Sequence, residues 1–197
     1  MLSVDRLGRL PNLDYVQLMI LQLKPLAEQT SFNLRRWAEI LADSELAKLP
    51  HRIETDRHGH IIMSPPPAPN HGNRQSKIAQ LLEHSFSQGN SLTECPLSTS
   101  DGVKAIDVAW LSAGRSNEAQ NATCLTRAPE ICVEILSPNN TTGEIQEKIE
   151  LYLEAGAREV WVCQLNGDMV FHSPTGKMAS SVLCPEFPAV VPAFPVR

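Results

Sequence analysis

Two acidic residues interrupt apolar runs that have the length and composition of buried strands. Asp107 stands within VKAIDVAWLS, and Glu134 stands within EICVEILSPNN. A buried carboxylate without a partner is costly, so it pairs with a cation, shifts its pKa or binds a metal. If the two strands are neighbours, the carboxylates repel each other, and a divalent cation such as Mg²⁺, which prefers hard oxygen ligands, relieves that repulsion. The alternative is that each acid is solvated or pairs with an arginine such as Arg127.

A lysine follows the second acid at a distance that a helix can close. The run SPNNTTGEIQEKIELYLEAG is a polar loop that leads into a segment with apolar residues at every fourth position: Ile145, Ile149 and Leu153. This spacing predicts a helix over residues 142–155. Lys148 borders its apolar face, so the ammonium group could reach over the end of the preceding strand. The alternative is a surface lysine that pairs with Glu144 one turn earlier.

Several further elements would have to position these groups. Amphipathic helices are predicted from Thr30 or Ser31 to before Pro50 and over residues 73–87, with a β-hairpin over residues 51–63 between them. The apolar face of the first helix is predicted to carry Leu34, Trp37, Ile40 and Leu41. Strands are predicted over residues 91–98, 103–111, 130–136, 158–165 and 168–173.

Alternation along a strand divides the residues around each acid between two faces. Around the first acid, one face carries Ala105, Asp107 and Ala109, and the other carries Ile106, Val108 and Trp110. Around the second acid, one face carries Glu130, Cys132, Glu134 and Leu136. Asp107 and Glu134 therefore each lie on the more mixed face of their strand.

Composition limits the class of protein. The chain has 197 residues, 42% hydrophobic and 20% charged residues and a net charge of −5, which is typical of one globular domain and unlike a protein that coats nucleic acid by bulk positive charge. Its five widely spaced cysteines indicate free thiols in a reducing compartment. The apolar run at residues 16–23 is too short to span a bilayer and lacks the features of a secretion signal. We therefore expect a cytoplasmic protein without a membrane segment.

Three segments are predicted along the chain. Residues 1–30 form an N-terminal extension, residues 31–184 a single domain, and residues 185–197 a Pro-rich tail. Because proline cannot donate to a sheet ladder or continue a helix, the tail is expected to lie over the surface without regular structure.

The motifs, taken together and in order, resemble a known family. The segments IETDRHGHIIMSPP, HGNRQSKIAQLL, IDVAWLS, PEICVEILSPNNT and EKIELYLEAGAREVWV are similar to those of the Uma-type family of restriction-endonuclease-like proteins, within the PD-(D/E)XK nuclease superfamily. The resemblance spans roughly residues 31–184. It implies an α/β (α+β) fold with a restriction-endonuclease-like core, in which helices flank a mixed β-sheet in α-β-β-β-α-β order, with an added N-terminal helix and β-hairpin.

The resemblance also implies roles for particular residues. Asp107, Glu134 and the backbone carbonyl of Ile135 would hold Mg²⁺, with Mn²⁺ as a substitute, and Glu54 would be a third acid. Lys148 would replace the motif's lysine, whose position is occupied by Leu136. Three further residues would border the site: His71, Gln75 and Gln164. The sequence departs from the family pattern at Ile106, where the motif has proline, and at Gln164, where the family often has aspartate.

The resemblance implies a Mg²⁺-dependent endonuclease that hydrolyses DNA phosphodiester bonds. It also allows a homodimer, because many nucleases of this fold cut both strands as dimers. Two alternatives stay open. One is a nuclease-like module without effective catalysis that binds nucleic acid or a protein partner, which the missing motif lysine and the acidic balance allow. The other is a structural protein whose strand acids pair with arginines.

Overall fold

The computed structural model describes residues 24–194, which form four α-helices, a short 3₁₀ helix and two β-sheets. In chain order the elements are α1 (Leu26–Ala42), the 3₁₀ helix (Leu46–Lys48), β1 (Arg52–Thr55), β2 (Ile61–Ser64), α2 (Pro69–Ser85), β3 (Asn90–Thr99), β4 (Gly102–Leu111), α3 (Ala113–Ala119), β5 (Ile131–Ile135), α4 (Thr142–Glu154), β6 (Glu159–Cys163), β7 (Met169–Ser173) and β8 (Gly176–Met178). Most of the predicted N-terminal extension, with its apolar run, lies outside the described residues. Within them, no helix has the length and apolar character needed to cross a membrane.

Six strands form one mixed sheet in the order β3-β4-β5-β6-β7-β8, while β1 and β2 form a separate antiparallel hairpin. All neighbours in the large sheet are antiparallel except β5 and β6, which are parallel and connected through α4. A parallel pair requires such a crossover, and here the crossover carries the predicted lysine helix. The predicted mixed sheet, its helix–strand order and the added helix and hairpin are confirmed.

Apolar side chains pack on both faces of the large sheet. On one face, Ile78 and Leu82 of α2 pack with Val108 and other strand residues. On the opposite face, Ile149 and Tyr152 of α4 belong to a second cluster with strand residues. The sheet is therefore the middle layer between α2 and α4, and its strands are buried on both sides, as expected for near-continuous apolar runs.

The alternation predicted for β4 fails at one residue. Ile106 was expected to share a face with Val108. It packs instead with Cys95, in the cluster on the α4 side of the sheet. The cause lies in β3, where Glu94 has a φ of 51°, a conformation that residues other than glycine seldom adopt. The β3–β4 ladder skips the position of Glu94 opposite Asp107, so the regular pleat is interrupted there.

The first helix starts earlier than predicted. It begins at Leu26 directly after Pro25, not at a cap formed by Thr30 or Ser31, and it ends at Ala42. Pro25 is the N-cap residue, and its carbonyl oxygen accepts from the amides of Glu28 and Gln29, both at 2.9 Å. Leu41 is 53% exposed, so its predicted place in the core was wrong.

Other element boundaries differ in smaller ways. Helix α2 begins at Pro69, four residues before its predicted start, with proline at the first helical position, where no backbone donor is needed. The short helix α3 and the edge strand β8 were not predicted, because neither has enough apolar periodicity to be recognised.

Over its described residues, 185–194, the Pro-rich C-terminal segment has no helix or named strand, as predicted, but it does more than cover the surface. Phe187 and Val191 are buried in the core cluster on the α2 side. Two backbone hydrogen bonds tie the segment to β7 and its preceding turn, one from Met169 N to Ala189 O and one from Val191 N to Gly167 O, both of 2.8 Å. The three-segment division of the chain stays a prediction.

Candidate active site

A polar cavity of about 510 Å³ opens where β4 and β5 stop pairing. Its walls come from the β1–β2 hairpin, from β4, β5 and α4, and from the loops at residues 65–68 and 137–140. The predicted residues Glu54, Asp107, Glu134, Ile135 and Lys148 all line it. The structure thus brings together side chains that lie far apart along the chain.

Asp107 and Glu134 occupy the position that follows the last pair of the β4–β5 ladder, Val108 with Val133. Asp107 contacts His71 of α2, whereas Glu134 contacts Tyr152 and Lys148 of α4, so the two carboxylates reach the cavity from different sides of the sheet. Asp107 is only 1% exposed, and its Oδ2 accepts a hydrogen bond of 2.6 Å from the backbone amide of Ile135. The carboxylate therefore replaces the next backbone partner, and the two strands separate around it.

Glu134 is buried and bonded at both oxygens. Its Oε1 accepts a hydrogen bond of 2.7 Å from the Tyr152 hydroxyl, and its Oε2 lies 3.1 Å from Lys148 Nζ. Burial raises the pKa of Glu134 to about 7, with the charge of Asp107 adding to the rise and that of Lys148 opposing it. Near neutral pH, this carboxyl can therefore exist with or without its proton.

Lys148 is positioned by the start of α4. Thr141 caps the helix, accepting from the Glu144 amide at 3.2 Å, while Glu144 Oε2 accepts from the Thr141 amide at 2.8 Å. This capping box sets the first turn of the helix and occupies Glu144, so the alternative pairing of Lys148 with Glu144 is not observed. Instead, Lys148 Nζ lies 2.9 Å from Glu54 Oε1 as well as near Glu134.

The charge of Lys148 is stabilised by these two acids. Burial alone would lower the pKa of Lys148, but the charges of Glu134 and Glu54 outweigh it and raise the pKa above its usual value. Burial would raise the pKa of Glu54, but Lys148 and Arg52 lower it below its usual range. Glu54 and Lys148 thus form a charged pair in the wall of the cavity.

Glu54 reaches the cavity because the hairpin lies beside the part of β4 that β5 does not cover. Its Oε1 also accepts from the Ala105 amide at 2.9 Å, and Thr55 Oγ1 accepts from the Val103 amide at 2.9 Å. The approach is close at Gly102, which has a φ of +85° and where an added Cβ would collide with the carbonyl oxygen of Thr55. Only glycine fits this position without strain.

Arg52, which was not predicted as a site residue, lies among three acids. Its Nη1 is 2.5 Å from Asp107 Oδ1, its Nη2 is 3.5 Å from Glu54 Oε1, and its Nε is 3.3 Å from Glu94 Oε2. The sequence suggested Arg127 as an arginine that could pair with a strand acid. The arginine that pairs with Asp107 is Arg52. One signal was available in the sequence, since Arg52 and Glu54 are two residues apart and share a face of the predicted hairpin strand.

Two of the three predicted border residues, His71 and Gln75, contact the cluster formed by the acids Glu54, Glu94, Asp107 and Glu134. His71 is buried, with Nε2 3.3 Å from Asp107 Oδ2; burial would lower its pKa, but the hydrogen bond and charge of Asp107 raise it. Gln75 Nε2 donates to the Asp107 carbonyl oxygen and to Glu94 Oε1, both at 2.8 Å. Gln164 does not line the cavity and lies in a separate depression beside β7.

The charges in contact at this site do not balance. Four carboxyl groups, those of Glu54, Glu94, Asp107 and Glu134, face the two side-chain cations Arg52 and Lys148, so negative charge is in excess when all four are ionised and His71 is neutral. Across residues 24–194, no three or more His, Cys, Asp or Glu side chains converge as a ready metal cluster. The acids are held apart by the cations between them.

Comparison with known proteins finds a family model and similar solved structures. A family model described as "Uma2: Putative restriction endonuclease" matches residues 43–195. The crystal structure of a putative nuclease belonging to DUF820 from Anabaena variabilis ATCC 29413 is similar, with a TM-score of 0.55 and 22% sequence identity over 66% of this chain and 78% of that chain. At that identity the likeness demonstrates a shared fold. No curated protein gives a significant match.

Proposed function

The chain belongs to the Uma2 family of putative restriction endonucleases, and from this premise we propose that it is a metal-dependent endonuclease that hydrolyses DNA phosphodiester bonds. The observation that carries the proposal is the convergence of Asp107, Glu134 and Lys148 on one cavity. The proposed metal is Mg²⁺, with Mn²⁺ as a substitute.

The donor set suits a divalent cation. Carboxylate and carbonyl oxygens are the ligands that Mg²⁺ prefers, and the ionised carboxylates of the cluster outnumber its two side-chain cations, Arg52 and Lys148. Asp107 and Glu134 would hold it. Within a strand, the N–H and C=O of one residue point to the same neighbour, so the Ile135 carbonyl would face the gap into which its amide donates.

Each side chain has a role that its contacts support. The Ile135 amide and His71 orient Asp107, while Tyr152 and Lys148 orient Glu134. A bound Mg²⁺ would supply Lewis-acid polarisation of the phosphate and lower the pKa of a water molecule.

Lys148 is the proposed electrostatic catalyst. Its ammonium group has three hydrogens, of which Glu54 and Glu134 accept two. The third is left to orient the attacking water or to stabilise the charge that develops on the phosphate in the transition state. Glu54 is then a positioning residue, because it keeps Lys148 charged and immobile.

DNA is the proposed partner, and a homodimer would provide one site for each strand. A chain with a net charge of −5 cannot bind phosphates by its overall charge, so the contacts would be local to the cavity. The cytoplasm is the proposed location, since all five cysteines are free thiols, as is usual in a reducing compartment.

A second function remains as a rival, a nuclease-like module that binds DNA without cleaving it. The observation in its favour is that Asp107 is already paired with Arg52 and that Leu136 stands in place of the motif's lysine.

A plasmid cleavage assay with Mg²⁺, Mn²⁺ or EDTA separates the two functions. Cleavage that requires the metal and disappears in Asp107→Asn and Glu134→Gln supports the nuclease. Salt-dependent DNA binding with no cleavage under any metal condition supports the rival.

A further inference from the structure

The guanidinium group of Arg52 contacts Oδ1 of Asp107, the carboxylate oxygen that no other group of residues 24–194 binds. Asp107 Oδ2 is already used by the Ile135 amide at 2.6 Å and by His71 Nε2 at 3.3 Å. The other oxygen, Oδ1, faces Arg52 Nη1 at 2.5 Å. A cation that binds Asp107 therefore has to take the oxygen that Arg52 now occupies.

We propose that Arg52 is the built-in counter-cation of the metal-free centre, and that a divalent ion binds by displacing its guanidinium group from Asp107. The inference rests on the proposed metal dependence of the site and adds how that metal's affinity is set. Two positive groups on one carboxylate oxygen repel each other strongly where water is largely excluded, and Asp107 is 1% exposed. Arg52 and the metal ion are therefore competitors.

Arg52 is poorly anchored except at Asp107. Its Nε and Nη2 are buried but have no hydrogen-bond partner, although Glu94 and Glu54 lie 3.3 and 3.5 Å away. A small shift toward these two acids would convert charge contacts into hydrogen bonds. The Glu94 side chain is 43% exposed and so has room to adjust. After displacement, Arg52 would remain paired and no buried charge would be left alone.

Lys148 differs in this respect, because it lies at hydrogen-bond distance from both of its acids. The two cations of the cluster therefore have separate tasks. Arg52 compensates Asp107 until the metal arrives, and Lys148 stays in place throughout.

The test compares Mn²⁺ binding to the parent and to Arg52→Gln by calorimetry, which does not depend on cleavage. We expect the dissociation constant of Arg52→Gln to fall on the order of tenfold, because the ion no longer has to displace a guanidinium group. Metal-free Arg52→Gln should melt at a lower temperature than the parent, and Mn²⁺ should raise its melting temperature by more. Arg115→Gln is the matched control, since it removes an equal charge from a largely buried pair with Glu130 outside the cavity.

Unchanged or weaker Mn²⁺ binding by Arg52→Gln, relative to the parent, overturns the inference. If this variant does not fold without metal, Arg52→Lys keeps one charge but cannot span three acids; tighter binding than the parent supports the inference, and equal binding overturns it. Mn²⁺ binding by Arg52→Gln but not by the parent also supports it.

Two results distinguish this inference from the proposed function. A parent protein that binds Mn²⁺ but never cleaves DNA refutes the nuclease and leaves the competition between Arg52 and the metal intact. Absence of Mn²⁺ binding in the parent and in every Arg52 variant overturns both.

Discussion

The carboxylate of Asp107 takes the place of a backbone partner for Ile135, accepting its amide hydrogen at 2.6 Å just beyond the last paired residues of β4 and β5. One side chain thus ends the ladder, separates the two strands and faces the cavity. The structural and chemical roles of Asp107 are therefore joined, and a substitution there tests both.

Asp107→Asn should abolish metal binding and cleavage. An amide can still accept from Ile135, but it carries no charge to hold a metal ion or to pair with Arg52. Removing one partner of a buried ion pair costs about 3 kcal/mol of unfolding free energy, a low-end value because Arg52 keeps two other acids. Urea unfolding and Mn²⁺ calorimetry measure the two effects.

Glu130→Gln is the matched control for this variant. Glu130 is a buried acid that pairs with Arg115 and Ser112 outside the cavity, so its loss should reduce stability without changing metal affinity. Unchanged Mn²⁺ affinity in Asp107→Asn would contradict the assignment of Asp107 as a ligand.

Lys148→Ala should lower the cleavage rate on the order of 10²-fold, by analogy with the loss of other transition-state donors. Metal binding should persist, since lysine is not a ligand. Single-turnover cleavage measures the rate, and Lys48→Ala is the control because Lys48 pairs with Glu45 on the exposed surface. A Lys148→Ala protein as fast as its parent would exclude this residue from the mechanism.

Metal affinity should rise with pH through about 7. Burial raises the pKa of Glu134 to about 7, so below that pH the metal has to displace a proton from this carboxyl. Calorimetry with Mn²⁺ at pH 6 and pH 8 should give tighter binding at pH 8, with more protons released per ion at pH 6. Equal affinity at both values would mean that Glu134 does not bind the metal.

The same shift makes the stability of the metal-free protein depend on pH. Since the folded-state pKa of Glu134 lies above its ordinary value of 4.5, its contribution to stability is complete below pH 4.5 and is lost as the pH rises to about 7. Glu134→Gln removes this titration. The unfolding free energy of the variant, relative to the parent, should therefore increase between pH 5 and pH 7.5 in urea experiments, and a constant difference would refute the shift.

Gly102→Ala should displace the hairpin that carries Arg52 and Glu54. The new Cβ would meet the carbonyl oxygens of Thr55 and Asp56, and the positive φ adds strain. We expect a loss of several kcal/mol, on the order of 2 to 4, with faster amide exchange in the hairpin. Gly143→Ala is the control, because nothing lies within 4 Å of its added Cβ.

The sequence predicts the fold and part of the site for a clear reason. Strand alternation and helix spacing are local, so Asp107, Glu134 and Lys148 could be assigned to their elements, and the βαβ crossover then brings the elements together. The pairing of the strands that carry the two acids is confirmed. The catalytic and ligand roles of these residues stay predictions.

What the sequence could not reveal depends on contacts between distant segments. Arg52 reaches Asp107 across 55 residues only because the hairpin lies beside β4. Glu94 joins the cluster through an irregular backbone with a φ of 51°, which no local pattern signals. Gln164 was expected at the border from the family resemblance, but it lies in the turn between β6 and β7 and lines a separate depression.

The way in which β1 lies against β4 has a further consequence, for solubility. The part of β4 that extends beyond β5 would be an open sheet edge, a place where strands of other molecules can add and start aggregation. Glu54 and Thr55 bind the amides of Ala105 and Val103 there with their side chains, which leaves no row of free donors to pair with. Variants that detach this hairpin should therefore precipitate as well as lose activity.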